Sequence, residues 1–238
     1  MRERPILFSA PMIRAILDGR KTVTRRIVKP QPPTVEAVHA RSGSGYSWIT
    51  PDRERIHHHR PAGPVWAVRE LMGCEPQLLC PYGQPGDRLW VKERWRPSVA
   101  HSHGAGECDC GDVNVEYRAD GEVRFFRDDS IPFEWTMPKA AARGDVTPLF
   151  MPRWASRITL EVTGVRVERL QDISEDQAKA EGVEPINEPN ELRWPHYAPH
   201  GVAFAALWEQ INGAGSWDAN PWVWAVEFKR IEQEHAHA

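Results

Sequence analysis

The chain has little of several features that mark specialised classes of protein. Four cysteines among 238 residues are too few for a disulfide scaffold. No run is long and apolar enough for a transmembrane helix, and residues 1–12 lack the apolar core of a signal peptide. A formal net charge of −3 excludes a uniformly basic nucleic-acid coat. We therefore expect a cytoplasmic protein with no membrane contact, in which nucleic-acid binding would depend on a local cationic cluster.

Apolar and indole side chains, by contrast, are plentiful. Hydrophobic residues make up 41% of the chain, which supports a packed core. Eleven tryptophans are many for this length. Some of them belong in the core, and their number also favours a surface on which a base or nucleoside stacks.

The cluster of cations at residues 19–26, with the sequence GRKTVTRR, is the most informative segment. It follows a predicted short helix that has Ser9 as its N-cap and Gly19 as its left-handed stop. A helix that ends in this way fixes the position of the turn after it. That turn then holds an anion, or places a lysine beside a nucleophilic hydroxyl. The apolar face of the helix consists of Met12, Ile13, Ile16 and Leu17.

Alternating apolar residues predict strands along much of the chain. The alternation within residues 156–170 changes phase at Gly164, which indicates a bulge or a sharp coil. The pair Asp120-Gly121 predicts a hairpin turn. Trp222 and Trp224 share an apolar face of the last strand and are assigned mainly to the core. The predicted strands are 88–95, 115–117, 123–126, 156–170 and 222–228.

Two further helices are predicted in the second half of the chain. Ser174 and Gln177 form a capping box, and the helix that they begin stops at Gly182. The other helix ends near Gly213 and has an apolar face of Phe204, Leu207, Trp208 and Ile211. Because strands outnumber these short helices, we predict an α+β domain built around a small mixed or closed sheet.

The order of these segments resembles the ASCH domain family of the PUA-like superfamily, and in particular members encoded by phages and prophages. The family signature after the first helix is Gly-x-Lys-x-x-Glu-x-Arg, and this chain has Gly19, Lys21, Thr24 and Arg26 at those positions. The resemblance implies a PUA-like small β-barrel with short flanking helices. It implies one domain over residues 1–238, with core blocks of about 4–29, 84–96, 155–182 and 203–231 and insertions of about 30–83, 97–150 and 183–202.

Threonine replaces the signature glutamate, and in this respect the chain resembles one small bacterial branch of the family. The members of that branch have Lys-x-x-Thr at this point and are N4-acetylcytidine amidohydrolases. Their catalytic lysine, threonine and glutamate match Lys21, Thr24 and Glu181 of this sequence. The resemblance therefore implies a hydrolase that removes an acyl group from a modified cytidine and needs no cofactor.

The chemistry of Lys21 and Thr24 allows two interpretations. Thr24 becomes a nucleophile if Lys21 takes its proton, which requires that burial and the neighbouring Arg25 and Arg26 lower the pKa of Lys21. In the alternative, the cations are solvated and Thr24 simply begins a strand, because most charge clusters lie in water.

Glu181 falls in the last turn of its predicted helix, where the helix dipole disfavours a carboxylate by about 0.3–1 kcal/mol. Local rules are broken most often at functional sites. A carboxylate in this position has a raised pKa, which suits a general acid, unless a cation such as Lys21 compensates it. The alternative is a frayed helix end with Glu181 in water.

Five further residues are candidates for substrate binding. Arg20, Arg25 and Arg26 supply positive charge for a phosphate. Trp90 either stacks on a base or packs beneath an insertion. Glu93 faces the core by its parity in the strand and therefore needs a cation such as Arg26, so pairing inside the barrel is its favoured role.

Four side chains of the types that bind zinc occur within ten residues of one another. The Cys-x-Cys spacing among them departs from the usual Cys-x-x-Cys pattern, so we favour a site without metal. The four residues are His101, His103, Cys108 and Cys110.

The leading hypothesis is therefore an amidohydrolase. Thr24 attacks the amide carbonyl or orients a water, Lys21 acts as the base or stabilises the oxyanion, and Glu181 protonates the leaving amine. A second hypothesis is a non-catalytic reader, in which the cationic turn holds a phosphate and a tryptophan stacks on the base. A third is a ribonuclease. In each case the partner is a modified nucleoside or RNA, and the number of subunits stays open.

Overall fold

The computed structural model of the chain describes residues 1–29, 31, 80–100, 111–186 and 199–231, with the backbone alone of short strands at 38–41, 45–48 and 77–78. The helices are α1 (Ala10–Leu17), α2 (Glu175–Ala180) and α3 (Pro199–Asn212). The strands are β1 (Glu3–Leu7), β2 (Val23–Ile27), β3 (Val38–Arg41), β4 (Gly45–Trp48), β5 (Gln77–Leu78), β6 (Arg88–Lys92), β7 (Trp95–Val99), β8 (Val113–Tyr117), β9 (Val123–Phe126), β10 (Thr159–Arg169) and β11 (Trp222–Ile231). Short 3₁₀ helices occupy Asp128–Ser130, Lys139–Arg143, Pro148–Phe150 and Leu170–Asp172.

The chain divides into two compact units, each assembled from segments that are distant in sequence. Boundaries between their segments fall within β6, β10 and β11. The first unit comprises Met1–Arg2, Arg20–Arg88 and Glu161–Lys229. The second unit comprises Glu3–Gly19, Leu89–Leu160 and Arg230–Ala238.

The sheet of the first unit has β10, β11 and β2 as neighbours in that order. β2 runs antiparallel to β11, and Thr24 lies opposite Val226 while Arg25 lies opposite Ala225. Because successive residues of a strand face opposite sides, Thr24 and Arg26 share one face of β2 and Arg25 belongs to the other. The alternation therefore divides the cationic segment between the two faces of one strand.

The helix α2 begins with the predicted capping box. Ser174 Oγ accepts from the N–H of Gln177, and the side chain of Gln177 accepts from the N–H of Ser174. The helix has Glu181 as its C-cap, and Gly182 takes the predicted left-handed stop with a φ of 79°. Residues of α2 and α3 contribute to the apolar core of this unit, which contains Leu170, Ile173, Ala178, Phe204, Ala205, Trp208, Trp217 and Val223.

The helix α3 confirms the predicted helix and its stop, since Gly213 follows Asn212 with a φ of 98°. Phe204 and Trp208 are buried, as their spacing predicts. Ile211 is 56% exposed, because it lies in the last turn beyond the buried part of the helix. The apolar face of α3 is therefore displaced toward its N-terminal half.

The two tryptophans of β11 differ in their surroundings. Trp224 is buried, as predicted, and only 1% of its surface is exposed. Trp222 is half-buried, and the guanidinium carbon of Arg169 lies 4.4 Å from its ring centroid. Trp222 therefore stacks with a cation instead of filling the core.

Gly164 lies within β10, which continues as a strand of 11 residues through this position. A Cβ atom at Gly164 would lie 2.6 Å from Glu227 Oε2. The glycine thus leaves room for a carboxylate of the neighbouring strand. The predicted bulge at this residue stays a prediction.

In the second unit, β1 pairs with β6, and β7, β8 and β9 form an antiparallel sheet. The helix α1 confirms the predicted helix before the cationic turn, with Ser9 at its N-cap. β8 and β9 confirm the predicted hairpin, and Gly121 in its turn has a φ of 81°. The apolar core beside this sheet contains Trp95, Val113, Val115, Tyr117, Ile131, Val146, Met151 and Ala155.

The predicted strand at 88–95 is two strands, since β6 ends at Lys92 and β7 begins at Trp95. The N–H of Glu93 donates to Met151 Sδ at 3.3 Å instead of to a strand carbonyl. This contact explains why the strand is interrupted there. The predicted common face is kept, because Leu89, Val91, Glu93 and Trp95 are all buried.

These elements confirm the α+β class, with many strands and few helices. A PUA-like barrel is not confirmed, because among the described strands β1 and β2 each have one hydrogen-bonded neighbour and are therefore open sheet edges. The strands β3, β4 and β5 form an antiparallel sheet inside the predicted insertion at 30–83. None of the described helices has the length and apolar character needed to cross a bilayer.

Candidate active site

The cationic segment of the first unit is held by backbone hydrogen bonds just before β2. The N–H of Thr22 donates to the carbonyl of Ala180 at 2.9 Å, and the carbonyl of Thr22 accepts from the N–H of Phe228 at 2.9 Å. Thr22 is therefore tied to the end of α2 on one side and to β11 on the other. This brings Lys21 within reach of Glu181.

Lys21 and Glu181 form a buried ion pair, with 2.6 Å between Lys21 Nζ and Glu181 Oε2. The same Nζ donates to the backbone carbonyls of Glu181 at 2.9 Å and Val23 at 2.8 Å, so all three ammonium N–H groups have acceptors. Lys21 is 2% exposed and Glu181 is 3% exposed. The alternatives that placed these two residues in water are therefore wrong.

The pKa of Lys21 lies below its ordinary value of 10.5. Burial lowers this pKa because it penalises the ammonium form. The charge and hydrogen bond of Glu181 oppose the lowering, and the positive charges of Arg26 and Arg25 add to it. This is the direction that a lysine base requires.

Arg25 connects Glu181 to a second carboxylate. Arg25 Nη1 donates to Glu181 Oε1 at 3.2 Å, while Nε and Nη2 donate to Glu168 Oε1 at 2.9 and 2.5 Å. The side chain of Arg25 is fully buried, and its guanidinium carbon lies 5.8 Å from the ring centroid of Phe204. Lys21 and Arg25 thus balance the charges of two carboxylates in a place where unpaired charge would be costly.

Lys21, Glu181, Arg25 and Glu168 form one ion cluster. Gln177 joins this ion cluster to the start of α2. Its Oε1 accepts from Arg25 Nη2 at 3.1 Å and from the backbone N–H of Ser174 at 2.9 Å. One amide oxygen therefore serves both the capping box and the site. The helix that carries Glu181 is consequently held to Arg25 at both of its ends.

Thr24 belongs to the other face of β2 and has a different partner. Its Oγ1 accepts a hydrogen bond from Arg26 Nη1 at 2.9 Å, and the same Nη1 donates to the carbonyl of Arg25 at 3.1 Å. Thr24 is completely buried, with 0% of its surface exposed. The accepted hydrogen bond still leaves the hydroxyl proton of Thr24 for donation.

Tyr82 is a further hydrogen-bond partner of Arg26. Burial raises the pKa of Tyr82, and its hydrogen bond with Arg26 and the charge of that arginine oppose the rise. Arg26 therefore connects a phenol to the threonine hydroxyl.

The structure brings two of the three predicted catalytic residues into direct contact. Lys21 and Glu181 share a short hydrogen bond, whereas Thr24 bonds to Arg26 on the same face of β2. The convergence of all three side chains on one bound group stays a prediction.

Two of the predicted substrate-binding residues have other partners. Arg20 is at the surface, where it donates to the carbonyl of Gly182 at 3.3 Å and pairs with Glu184 at 2.9 Å. Trp90 belongs to the second unit and is half-buried, with Lys92 Nζ 5.4 Å from its ring centroid. One face of this ring already has a cation against it. Binding roles for Arg20 and Trp90 stay predictions.

The predicted pairing of Glu93 with an arginine is confirmed, but the arginine is Arg157 and not Arg26, which the sequence suggested. Arg157 Nε and Nη2 donate to the two oxygens of Glu93 at 2.8 and 2.9 Å, a bidentate arrangement. Arg157 Nη1 also donates to Asp120 at 2.8 Å and to Glu122 at 2.6 Å. The parity of Glu93 revealed its need for a cation but not which arginine would lie beside it.

The four residues of the predicted zinc set, His101, His103, Cys108 and Cys110, lie outside the described residues. Within the part of the chain that the structure describes, no group of three or more metal-ligating side chains occurs.

Sequence reasoning missed three residues that the structure adds to the cluster. Gln177 was visible only as part of a capping box. Glu168 alternates with Arg166 along β10, which signals an ion pair on one face but not a contact with Arg25. Tyr82 lies in a turn whose sequence carries no signal for a contact with Arg26.

No family model, no curated protein and no solved structure significantly matches this chain.

Proposed function

We propose that this protein is an amidohydrolase with an ASCH-type, PUA-like fold, and that it removes the acyl group from an N4-acylated cytidine such as N4-acetylcytidine. The observation that carries the proposal is the buried contact of 2.6 Å between Lys21 Nζ and Glu181 Oε2. A base and an acid share a proton in this contact, and amide hydrolysis needs both. The substrate class comes from the resemblance of residues 19–26 to the amidohydrolase branch of the family.

The reaction begins when Lys21 passes a proton to Glu181, which converts a buried ion pair into a neutral amine and a neutral acid. Thr24 Oγ1 then attacks the acyl carbon, and its proton passes to Lys21 Nζ. This transfer requires Thr24, which is bonded to Arg26 in the structure, to come within hydrogen-bond distance of Lys21 when substrate binds. The C–N bond breaks as Glu181 gives its proton to the leaving N4 amine of cytidine. Water hydrolyses the ester on Thr24, releases the carboxylic acid and restores the hydroxyl.

Arg26 has a defined task in this scheme. Its Nη1 donates to the oxygen of Thr24 that carries negative charge as the proton leaves. A donor that is already aimed at developing charge stabilises the transition state more than the ground state. Arg26 therefore supports the nucleophile, while Arg25 supports Glu181.

The burial of Thr24 sets a condition on the cycle. Because its surface is 0% exposed, an acyl group reaches the hydroxyl only after neighbouring atoms move aside. Such opening steps commonly accompany substrate binding and exclude water from the closed site. We therefore expect turnover to include an opening step before the attack.

The direct test is to incubate the purified protein with N4-acetylcytidine and to measure cytidine and acetate by chromatography. Thr24→Val removes the hydroxyl at nearly constant volume, and Lys21→Met removes the base. Each should lower kcat/KM by about 100-fold or more, whereas Thr24→Ser keeps a hydroxyl and should retain turnover. Absence of turnover by the wild type would refute the proposal.

Matched controls are available on the same elements. Lys179 on α2 and Thr163 on β10 are both exposed. The variants Lys179→Met and Thr163→Val should keep the activity and the Tm of the wild type. If Lys21→Met were as active as Lys179→Met, the chemistry would lie elsewhere.

A second function, non-catalytic recognition of RNA or of a modified base, is favoured by one observation. All three N–H groups of Lys21 have protein acceptors, as a lysine with a purely structural role would also have. Fluorescence anisotropy with an oligonucleotide that contains N4-acetylcytidine measures this binding. Tight binding by a wild type that produces no cytidine would favour the reader over the enzyme.

A further inference from the structure

A continuous line of ion pairs leads from the buried lysine of the first unit to its surface. Glu168 Oε2 accepts from Arg166 Nε at 2.7 Å, and Arg166 pairs in turn with Glu227. Side-chain exposure increases from 0% at Lys21 to 14% at Glu168 and 47% at Glu227. Positive and negative groups alternate without a gap. The members in order are Lys21, Glu181, Arg25, Glu168, Arg166 and Glu227.

Arg25 divides its hydrogen bonds unequally between the two carboxylates that it contacts. It gives two to Glu168, at 2.9 and 2.5 Å, and one to Glu181, at 3.2 Å. Electrostatic attraction grows as two charges approach, so Arg25 compensates Glu168 more strongly than Glu181. Glu181 is left with Lys21 as its closer cation, at 2.6 Å.

We propose that Glu168 is a positioning residue that sets the balance of the proton between Lys21 and Glu181, and that it acts through Arg25. This inference rests on the proposed function, because it concerns the same acid and base. By holding the guanidinium, Glu168 keeps Arg25 from closing on Glu181. Without Glu168, Arg25 pairs with Glu181 alone and holds it as a carboxylate, which opposes the transfer of a proton to it.

Several other charges face these groups and enter the same balance. Arg25 and Arg26 act on Lys21, together with the carboxylate of Glu181. Arg166 faces Glu168 from two residues earlier on β10, and it also bonds to Glu227. Gln177, which is neutral, is a further acceptor for Arg25.

The experiment follows the titration of Lys21 by NMR, in protein labelled with ¹³C at lysine Cε. The Lys21 signal is assigned by its loss in Lys21→Met. In Glu168→Gln the positive charge near Lys21 is less compensated, so its titration should move to lower pH by about half a unit or more. The pH profile of kcat/KM should move in the same direction, because the base then loses its proton at lower pH.

Two further variants accompany this experiment, one as a control for loss of a negative charge on the strand and one as a test that does not depend on the folding of Glu168→Gln. Glu161→Gln removes the same charge from the same strand, where Glu161 pairs at 3.2 Å with the exposed Lys229, and it should leave Lys21 unchanged. Arg166→Gln removes the other cation that contacts Glu168, so that Glu168 pairs with Arg25 alone. The titration of Lys21 should then move to higher pH. This variant tests the inference even if Glu168→Gln does not fold.

The inference would be overturned if Lys21 titrated identically in the wild type and in folded Glu168→Gln. Shifts of equal sign in Glu168→Gln and Arg166→Gln would also overturn it. Its failure is distinct from failure of the proposed function. The NMR titration reports on the ion pair even if N4-acetylcytidine is not hydrolysed, and turnover without any shift refutes the role of Glu168 alone.

Discussion

The two units of this protein each bury a cluster of ion pairs, and the clusters differ in the cation at their centre. In the first unit Lys21 donates to one carboxylate, and Arg25 is shared between that carboxylate and another. In the second unit a single arginine, Arg157, binds Glu93, Asp120 and Glu122. The first cluster balances its charges in pairs, whereas the second surrounds one cation with three carboxylates.

This difference determines what each cluster can do with a proton. Burial alone would lower the pKa of Arg157, but its hydrogen bonds to the three carboxylates raise it further above a value that is already very high. Burial raises the pKa of Glu93, against the opposing effect of Arg157. An arginine does not give up its proton in a protein, whereas a buried lysine does. The second cluster therefore supports structure, while the first has a base that can change its charge.

Removal of the central arginine should produce the largest loss of stability. Arg157→Met leaves three carboxylates without their shared cation, and breaking a buried pair in this way costs about 3–5 kcal/mol. Urea unfolding followed by circular dichroism measures the loss. Arg153→Met removes an arginine that is 40% exposed and pairs with Glu3, so it should cost no more than about 1 kcal/mol. Equal losses in the two variants would remove the distinction between a buried cluster and a surface pair.

Lys21 should give the next largest effect, which appears as a dependence of stability on pH. Because its folded pKa is lowered, the folded state binds fewer protons than the unfolded state between that pKa and 10.5. The free energy of unfolding contributed by Lys21 therefore rises with pH across this window. Urea unfolding at several pH values up to about 10.5 should show the rise in wild type and a flatter curve in Lys21→Met. The exposed Lys179→Met variant should keep the slope of the wild type, and a slope that persists in Lys21→Met would contradict the assignment.

The smallest effect is expected from Gln177. Gln177→Ala removes one side of the capping box and one acceptor of Arg25, and we expect a loss of about 1 kcal/mol. Its matched control is Gln210→Ala, at an exposed position of α3, which should change the Tm very little. If both variants had the same Tm, the shared amide oxygen would have no measurable role in holding the first cluster.

Local sequence rules predicted the elements well where the signal lies within a few residues. The capping box at Ser174 and the stops at Gly19 and Gly182 depend on neighbouring residues alone, and the structure has all of them. The hairpin at Gly121 was predicted for the same reason. The closed barrel was inferred from a resemblance across distant segments, and the described strands do not confirm it.

The candidate site was predicted only in part, because its contacts join distant positions. The helix dipole marked Glu181 as a misplaced carboxylate, and the expected partner, Lys21, does lie beside it. Glu93 was marked by its parity in the same way, but its partner lies 64 residues later in the sequence, and no local pattern identifies it. Alternation along β2 also separates Thr24 from Arg25, which a list of neighbouring residues does not reveal.

The shared oxygen of Gln177 has a consequence for how the first unit opens. It accepts both from the Ser174 N–H and from Arg25 Nη2, so fraying of the first turn of α2 and release of the arginine disturb the same acceptor. Amide hydrogen exchange measures such local openings residue by residue. The amide exchange rates of Ser174 and Gln177, at the start of a helix, would therefore report how often Arg25 separates from Gln177 in the buried cluster.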